Sequence, residues 1–310
     1  MSALLYIILP VFLVLGAGYV TTRTGLLKLS VAEGLMSYTQ SAAFPCLLFL
    51  AISGFDLGEQ FHAPLLVSYY VGATACFSLG VLGARAIGRS PEDAVVIGFC
   101  CLFGNSMMLG VPITERAFGT SALDANFAII SIHAPFCYTL GIVAMELTMA
   151  GGQGLALFPL VRRILRQIFT NPLVIALMLG FVVNLTGFVV PVPLEDALQI
   201  IARSALPAAL FAVGGVLVQY RIEGDWRLIG LICLLSLMVH PAITWVLGKA
   251  YGLSPESFRS AILTAAVAPG VNTYVFANLY DRAKRSAASG LLIATGVCLF
   301  TSWFWLSLLP

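Results

Sequence analysis

Residues 98–114 read GFCCLFGNSMMLGVPIT, a polar Gly104-Asn105-Ser106 and a Gly110-Val111-Pro112 set inside an otherwise apolar run. Glycine leaves the backbone unrestricted and proline lacks the N–H that would close the ladder, so both elements loosen or interrupt a helix. In lipid each unpaired backbone group costs several kcal/mol. A broken helix at membrane depth is therefore tolerated where protein or a water-filled cavity surrounds it, and such cavities are where transporters bind their cargo.

The rest of the chain is as apolar as that reading requires. Of 310 residues, 60% are hydrophobic and 10% charged, with a mean hydropathy of +0.98. A helix needs roughly 20 apolar residues to cross a hydrocarbon core of about 30 Å. Runs of that kind predict ten spans, near 3-22, 38-55, 64-86, 93-118, 126-149, 172-190, 197-220, 228-250, 257-280 and 287-309. The formal charge of +2 is small and the basic residues are dispersed between spans, so nothing reads as a nucleic-acid face. Cys46, Cys76, Cys100, Cys101, Cys137, Cys233 and Cys298 all fall within spans, without a Cys-x-x-Cys pair or interleaved histidines. They read as small buried hydrophobes, and no metal or cofactor is implied. The first apolar run begins almost at Met1 and lacks a small-residue cleavage site, so a retained helix is expected there.

Lysine and arginine fall in alternate loops. One set holds Arg23 and Lys28, Arg85 and Arg89, Arg162, Arg163 and Arg166, Arg221 and Arg227, then Arg282, Lys284 and Arg285. The opposite set holds Arg116, Lys249 and Arg259. The bias makes the first set cytoplasmic, and with ten spans it puts both termini on the non-cytoplasmic side of the cell (inner) membrane. In the longest cytoplasmic connection, 151-171, Phe158, Leu160, Leu165, Ile168 and Phe169 alternate with three arginines, the pattern of a helix lying on the inner membrane surface.

The sequence also repeats itself weakly at a steady offset. Pro10 is echoed by Pro172, Gly18-Tyr19 by Gly180-Phe181, and Pro45 with Leu48-Phe49 by Pro207 with Leu210-Phe211, each 162 residues on. Val81-Leu82-Gly83 recurs as Val246-Leu247-Gly248, and Ser90-Pro91-Glu92 as Ser254-Pro255-Glu256. The expected organisation is a first five-helix repeat at 1-150, a linker at 151-171 and a second repeat at 172-310. Because five is odd, the second half enters the membrane from the opposite side, which makes the repeat inverted.

Both Ser-Pro-Glu elements carry helix-start chemistry: serine as N-cap, proline in the first turn, an acid against the positive helix end. They open the fourth and ninth spans. Within the ninth, Ala268-Pro269-Gly270-Val271-Asn272-Thr273 is the counterpart of the break at Gly104 to Pro112. If the two broken helices cross near the midplane, each presents unpaired N–H groups that favour anions, carboxylates above all.

At these residues the chain resembles the auxin efflux carrier family, which includes plant auxin carriers and bacterial malate and malonate permeases. The likeness rests on Phe103-Gly104-Asn105, Leu109-Gly110-Val111-Pro112 and Phe118-Gly119, on Pro207-Ala208-Ala209-Leu210-Phe211 with Gly214, and on Pro269-Gly270-Val271-Asn272 with Ala277 to Tyr280. It covers nearly the whole chain. The resemblance implies an all-α membrane protein of ten transmembrane helices, similar to sodium/bile-acid symporters and sodium/proton antiporters, with spans 4 and 9 crossing. It implies a scaffold of spans 1, 2, 6 and 7 and a transport domain of spans 3 to 5 and 8 to 10 that moves as an elevator. The activity it implies is a permease or efflux carrier for a small organic anion, with a coupling ion (H+ or Na+) and a homodimer through the scaffold helices left open. Plant carriers have a long loop after span five, and this chain looks like the bacterial form without it.

Asn105 and Asn272 are the leading candidates for substrate binding, since each adjoins a break and can donate to a carboxylate; the alternative is that they cap freed backbone. Gly104, Ser106, Pro112, Pro269, Gly270 and Thr273 share the two breaks. Arg203, roughly 10 Å into the seventh span at 1.5 Å per residue, is a charge suited to attracting a ligand, or one that snorkels outward. His133 stands close to Pro135 within a span, as His240 does beside Pro241, and either ring could satisfy a loosened carbonyl or relay a proton. Gln40 and Ser41 precede Pro45 as Arg203 and Ser204 precede Pro207, and are expected on the scaffold side of the cavity. Glu115, Arg116 and Glu146 read as interfacial.

Two rival readings are a cation-coupled carrier and an intramembrane enzyme. Residues 98-112 and 265-278 contain no carboxylate, which argues against an antiporter and weakens a sodium symporter of bile-acid type. No His-Glu-x-x-His, Gly-x-Gly-Asp or phosphate-binding lysine loop supports an enzyme.

Overall fold

A computed structural model describes residues 4–54, 62–150 and 157–310, and among these the chain is helical throughout apart from turns and one isolated bridge. The first half contains α1 (Leu9–Arg23), α2 (Leu29–Tyr38), α3 (Phe44–Ser53), α4 (Ala63–Ala86), α5 (Pro91–Leu102), α6 (Val111–Phe118) and α7 (Leu123–Ala150). After α8 (Leu157–Phe169), the second half contains α9 (Pro172–Thr186), α10 (Val192–Arg203), α11 (Ala205–Leu217), α12 (Trp226–Leu234), α13 (His240–Ala250), α14 (Pro255–Ala265), α15 (Asn272–Tyr280) and α16 (Lys284–Leu308). Residue 3 of the first expected span, residue 55 of the second and residues 151–156 of the linker lie outside the described residues.

Prolines shape the long helices in a repeated way. Wide π turns at Leu4–Ile8, Thr39–Ala43, Ser106–Gly110 and Leu235–Val239 each end two residues before a proline, at Pro10, Pro45, Pro112 and Pro241. The ring crowds the carbonyl four residues back and brings no N–H, and one widened turn relieves both problems without ending the helix. Among the described residues, seven helices are long and apolar enough to cross a membrane: Tyr6–Arg23, Leu29–Ser53, Ala63–Ala86, Leu123–Ala150, Val192–Leu217, Trp226–Ala250 and Lys284–Leu308. Pro172–Thr186 is apolar but shorter, stopped by Gly187 in the left-handed conformation at φ 66°. The remaining two expected spans are the interrupted pairs α5–α6 and α14–α15.

Some boundaries differ from the sequence expectation. The second helix starts at Leu29 instead of 38, and the seventh runs from Val192 to Leu217 instead of 197-220. In both cases the helix extends past its apolar window through residues such as Glu33, Glu195 and Asp196, because helix formation does not stop where hydrophobicity does.

Two groups of helices emerge from the packing. α1 lies along α11 and α3 along α9, with α2 on α11 and α10 on α3; separately, α4 packs on α5 and α13, and α12 on α16. In the first group Gly18 abuts the Phe211 carbonyl and Gly180 abuts the Phe49 carbonyl, so residues 162 apart make matching contacts with their partners exchanged. Both expected serine caps are present. Ser90 Oγ accepts from the Asp93 N–H at 3.1 Å and Ser254 Oγ from the Ser257 N–H at 3.2 Å.

α8 carries its arginines on two faces. Arg163 forms an ion pair with Glu146 of α7 at 2.6 Å and lies 4.7 Å over the ring of Tyr280 in α15. Leu160 and Ile164 pack against the body, while Phe158, Val161, Leu165 and Phe169 are exposed beside Arg162 and Arg166. Between α4 and α12, Asp225 pairs with Arg89 at 2.8 Å, and the Arg227 N–H followed by the Arg89 guanidinium holds its carboxyl below the usual range.

Candidate functional site

The two helix breaks meet. The Asn105 N–H donates to the Ala268 carbonyl and the Gly270 N–H to the Phe103 carbonyl, each at 2.8 Å, forming an antiparallel bridge between Gly104 and Pro269. Small residues make this approach feasible, since a Cβ on Gly104 would come within 3.3 Å of Val267. The bridge satisfies backbone groups that the interruptions of α5 and α14 set free, without any help from side-chain amides.

Beside the bridge is a cavity of about 380 Å³. Gly104, Asn105, Ser106, Gly270 and Asn272 reach it from the crossing, His133 from α7, and Gln40 and Ser41 from the π turn ahead of α3. Asn105 is buried and Asn272 half-buried, and neither side-chain amide makes a hydrogen bond within the described residues. Both retain donors and acceptors for a bound molecule. Ser106 Oγ lies 3.3 Å from the hydroxyl of buried Tyr69. Thr170, Asn171 and Pro172, where α8 passes into α9, also line the cavity. None of the lining residues is an Asp, Glu, Lys or Arg.

The sequence from residue 4 to 306 matches the family model described as "Membrane transport protein". The chain belongs to this family. It is the auxin efflux carrier family suggested by the motifs at the two breaks. Two relatives extend the match along the chain. A protein named "Putative malonate transporter" from Rhizobium meliloti (strain 1021) is 25% identical over 95% of this chain and 92% of its own length. The "Uncharacterized transporter YfdV" of Escherichia coli (strain K12) is 22% identical over 96% of this chain and 95% of its own length. The family and these relatives are transporters, not enzymes.

Other residues singled out in this transporter's sequence lie off the cavity. Thr273 is fully buried and spends its hydroxyl on the Gly270 carbonyl at 2.8 Å, the capping role. Pro112 is buried in α6 and Pro269 sits in the bridge itself. Arg203 is exposed at the end of α10 and is not among the lining residues. Its neighbour Ser204 instead bonds Tyr38 at 2.7 Å. His240 has the carbonyl partner expected of a loosened helix, Tyr69 O at 3.2 Å. Arg116 donates to the Ile7 and Tyr6 carbonyls at the start of the chain.

Several contributors were not singled out from the sequence. Ser131 and Tyr138 reach the cavity from α7, and Asn171 from a position whose motif signals only a helix start, which it also caps. Behind the crossing, fully buried Asn126 donates to Thr264 Oγ1 at 2.6 Å and Thr114 Oγ1 at 3.3 Å, tying α6, α7 and α14 together. A polar residue in an apolar helix was the available signal for Asn126.

Proposed function

We propose that this membrane transport protein is a secondary carrier of a small organic anion, a carboxylate, and that it works by elevator-type alternating access. In this reading the chain crosses the membrane ten times: the seven long helices, the shorter α9 and the two interrupted pairs. The halves 1-150 and 172-310 are inverted repeats, and the exchanged Gly18–Phe211 and Gly180–Phe49 contacts support that relation. The group α1, α2, α3, α9, α10 and α11 is the scaffold, and the helices carrying the crossing form the moving body.

The observation that carries the reading is the pair of amides, Asn105 and Asn272, free of protein partners at a bridged crossing of two broken helices. A carboxylate there would receive neutral donors from the two amides, and a charge-assisted hydrogen bond is worth about twice a neutral one. The cavity volume suits a small acid, and the Rhizobium relative's name makes malonate the first candidate. The lining residues Thr170 to Pro172 follow the arginine-bearing α8, which supports access from the arginine-rich side, read as the cytoplasm.

Thermal-shift measurements on purified protein with a panel of mono- and dicarboxylates test the proposal, because ligand at 100 times its dissociation constant adds about 2.7 kcal/mol. Stabilisation by malonate or a related acid, followed by uptake of the same labelled acid into proteoliposomes, is the expected result. A flat response across all anions removes the carboxylate reading.

A further inference from the structure

The cavity has a chemical peculiarity: it is read as an anion site yet is lined by no charged side chain. Its single imidazole is His133, buried in α7. The ring stands edge-on to Phe103 at 4.9 Å and to Tyr69 at 5.8 Å, and is tilted against Tyr70 at 6.3 Å. Its two nitrogens lie 3.7 and 3.9 Å from the Cys137 sulfur, and Gly104 of the crossing lines the same cavity. The other two histidines are engaged differently: His62 caps α4 and meets Ser257, and His240 bonds the Tyr69 carbonyl.

Around His133 the titratable groups are Tyr69 and Tyr70 from α4, Cys137 and Tyr138 from its own helix, and His240 from α13 behind the Tyr69 ring. From α5 and the crossing come Phe103, Gly104 and Asn105, which do not titrate. Among the described residues, no carboxylate faces the imidazole. A buried imidazolium is costly without a counter-charge, and so is a buried carboxylate. Each would remove the other's penalty.

We propose that His133 takes up one proton from solution as a carboxylate anion enters the cavity, so that anion and proton are bound, and carried, together, the imidazolium offsetting one carboxylate charge. The proton comes to rest on a ring nitrogen and the substrate stays ionised. Thermodynamic reciprocity makes the coupling two-way: the anion favours protonation of His133, and protonation favours the anion. The inference rests on the carboxylate reading of the site.

The test uses malonate and the full chain in detergent. Malonate added at pH 7.5 in weak buffer, against a protein-free control, should draw about one proton per molecule bound. Its affinity should weaken by up to about tenfold for each unit of pH above neutrality. His133→Gln should bind malonate with no proton uptake and no pH dependence in this range. Nitrogen NMR on the unsubstituted protein, labelled at its three histidines, reads the protonation directly even if the variant does not fold, with one imidazole turning to imidazolium on addition of malonate. Binding without proton uptake or an imidazolium signal overturns the role of His133 and leaves the carrier reading intact. So does proton uptake that survives His133→Gln. Absence of any melting shift with malonate and the other carboxylates overturns both.

Discussion

The backbone of Gly18 lies so close to Phe211 that a Cβ at Gly18 would fall 2.0 Å from the Phe211 carbonyl oxygen. From the other side, a Cβ at Gly214 would fall 1.8 Å from the Leu15 carbonyl oxygen. α1 and α11 therefore meet backbone to backbone, the mode by which small residues associate helices in lipid, where apolar burial alone gives no preference for a protein neighbour.

Gly18→Ala and Gly214→Ala should lower the melting temperature of the detergent-solubilised protein. The new methyl group meets backbone, which cannot rotate away, so at least the usual overpacking penalty of about 1–3 kcal/mol applies. Gly180→Ala should be milder, because its nearest atoms, in Ile52 and Phe49, would be 3.0 Å away. Gly16→Ala, with nothing within 4 Å, is the control. Equal melting temperatures for Gly16→Ala and Gly18→Ala would contradict the close approach.

Arg163 makes a second measurable link, from α8 to both Glu146 and Tyr280. The pair is partly exposed, so its stabilisation is at most about 1 kcal/mol, with a comparable contribution from the ring at about 0.5–1 kcal/mol. Arg163→Gln should shift the global melting temperature little but speed amide hydrogen exchange within Leu157–Phe169. Unchanged exchange there would mean that Leu160 and Ile164 hold α8 without the arginine.

The breaks at 104–112 and 268–273 were legible in the sequence because glycine, proline and asparagine contradict their apolar surroundings. Their crossing was expected from the internal repeat and from the family resemblance, but the residue-by-residue backbone bridge was not legible. A bridge from Gly104 to Pro269 depends on how α5 and α14 are brought together, and nothing local to either segment encodes its partner. The serine caps were legible for the opposite reason, since Ser90 and Ser254 act on backbone three residues away. Arg203 drew attention as a charge within an apolar window, but along the Val192–Leu217 helix its side chain is exposed and lies off the cavity lining. Hydropathy marks where lipid could be and does not register which face of a helix a charge occupies. Gln40, Ser41 and His133 were found through neighbouring prolines, whereas Ser131 and Tyr138 line the cavity through the packing of α7 and carry no such marker.

The arrangement of basic residues predicts that Met1 and Pro310 lie outside the cytoplasm. A C-terminal fusion to a protein that fluoresces only in the cytoplasm should stay dark, while a periplasmic reporter at the same place should be active. Arg259, which donates to the terminal carbonyl of Pro310, belongs to the basic-poor set of loops and is consistent with that side. Bright fusions in correctly inserted protein would contradict ten crossings.

The amides of Asn105 and Asn272 give the sharpest separation between a binding role and a structural one. The backbone bridge already closes through Asn105 N–H to Ala268 and Gly270 N–H to Phe103, so neither side chain is needed to satisfy it. Asn105→Ala and Asn272→Ala should therefore fold with melting temperatures near that of the parent protein. A hydrogen bond to a charged group contributes roughly 1.5 to 3 kcal/mol, so each variant should lose about ten- to a hundredfold in carboxylate affinity. An asparagine that merely capped freed backbone would behave in the opposite way, with lowered melting temperature and intact affinity in whatever protein folds. Thr273→Ala supplies that second pattern for comparison, since its hydroxyl is already committed to the Gly270 carbonyl and is fully buried. Melting temperature and affinity measured on the same three preparations distinguish the roles. Lost stability with unchanged affinity in both asparagine variants would take Asn105 and Asn272 out of the site.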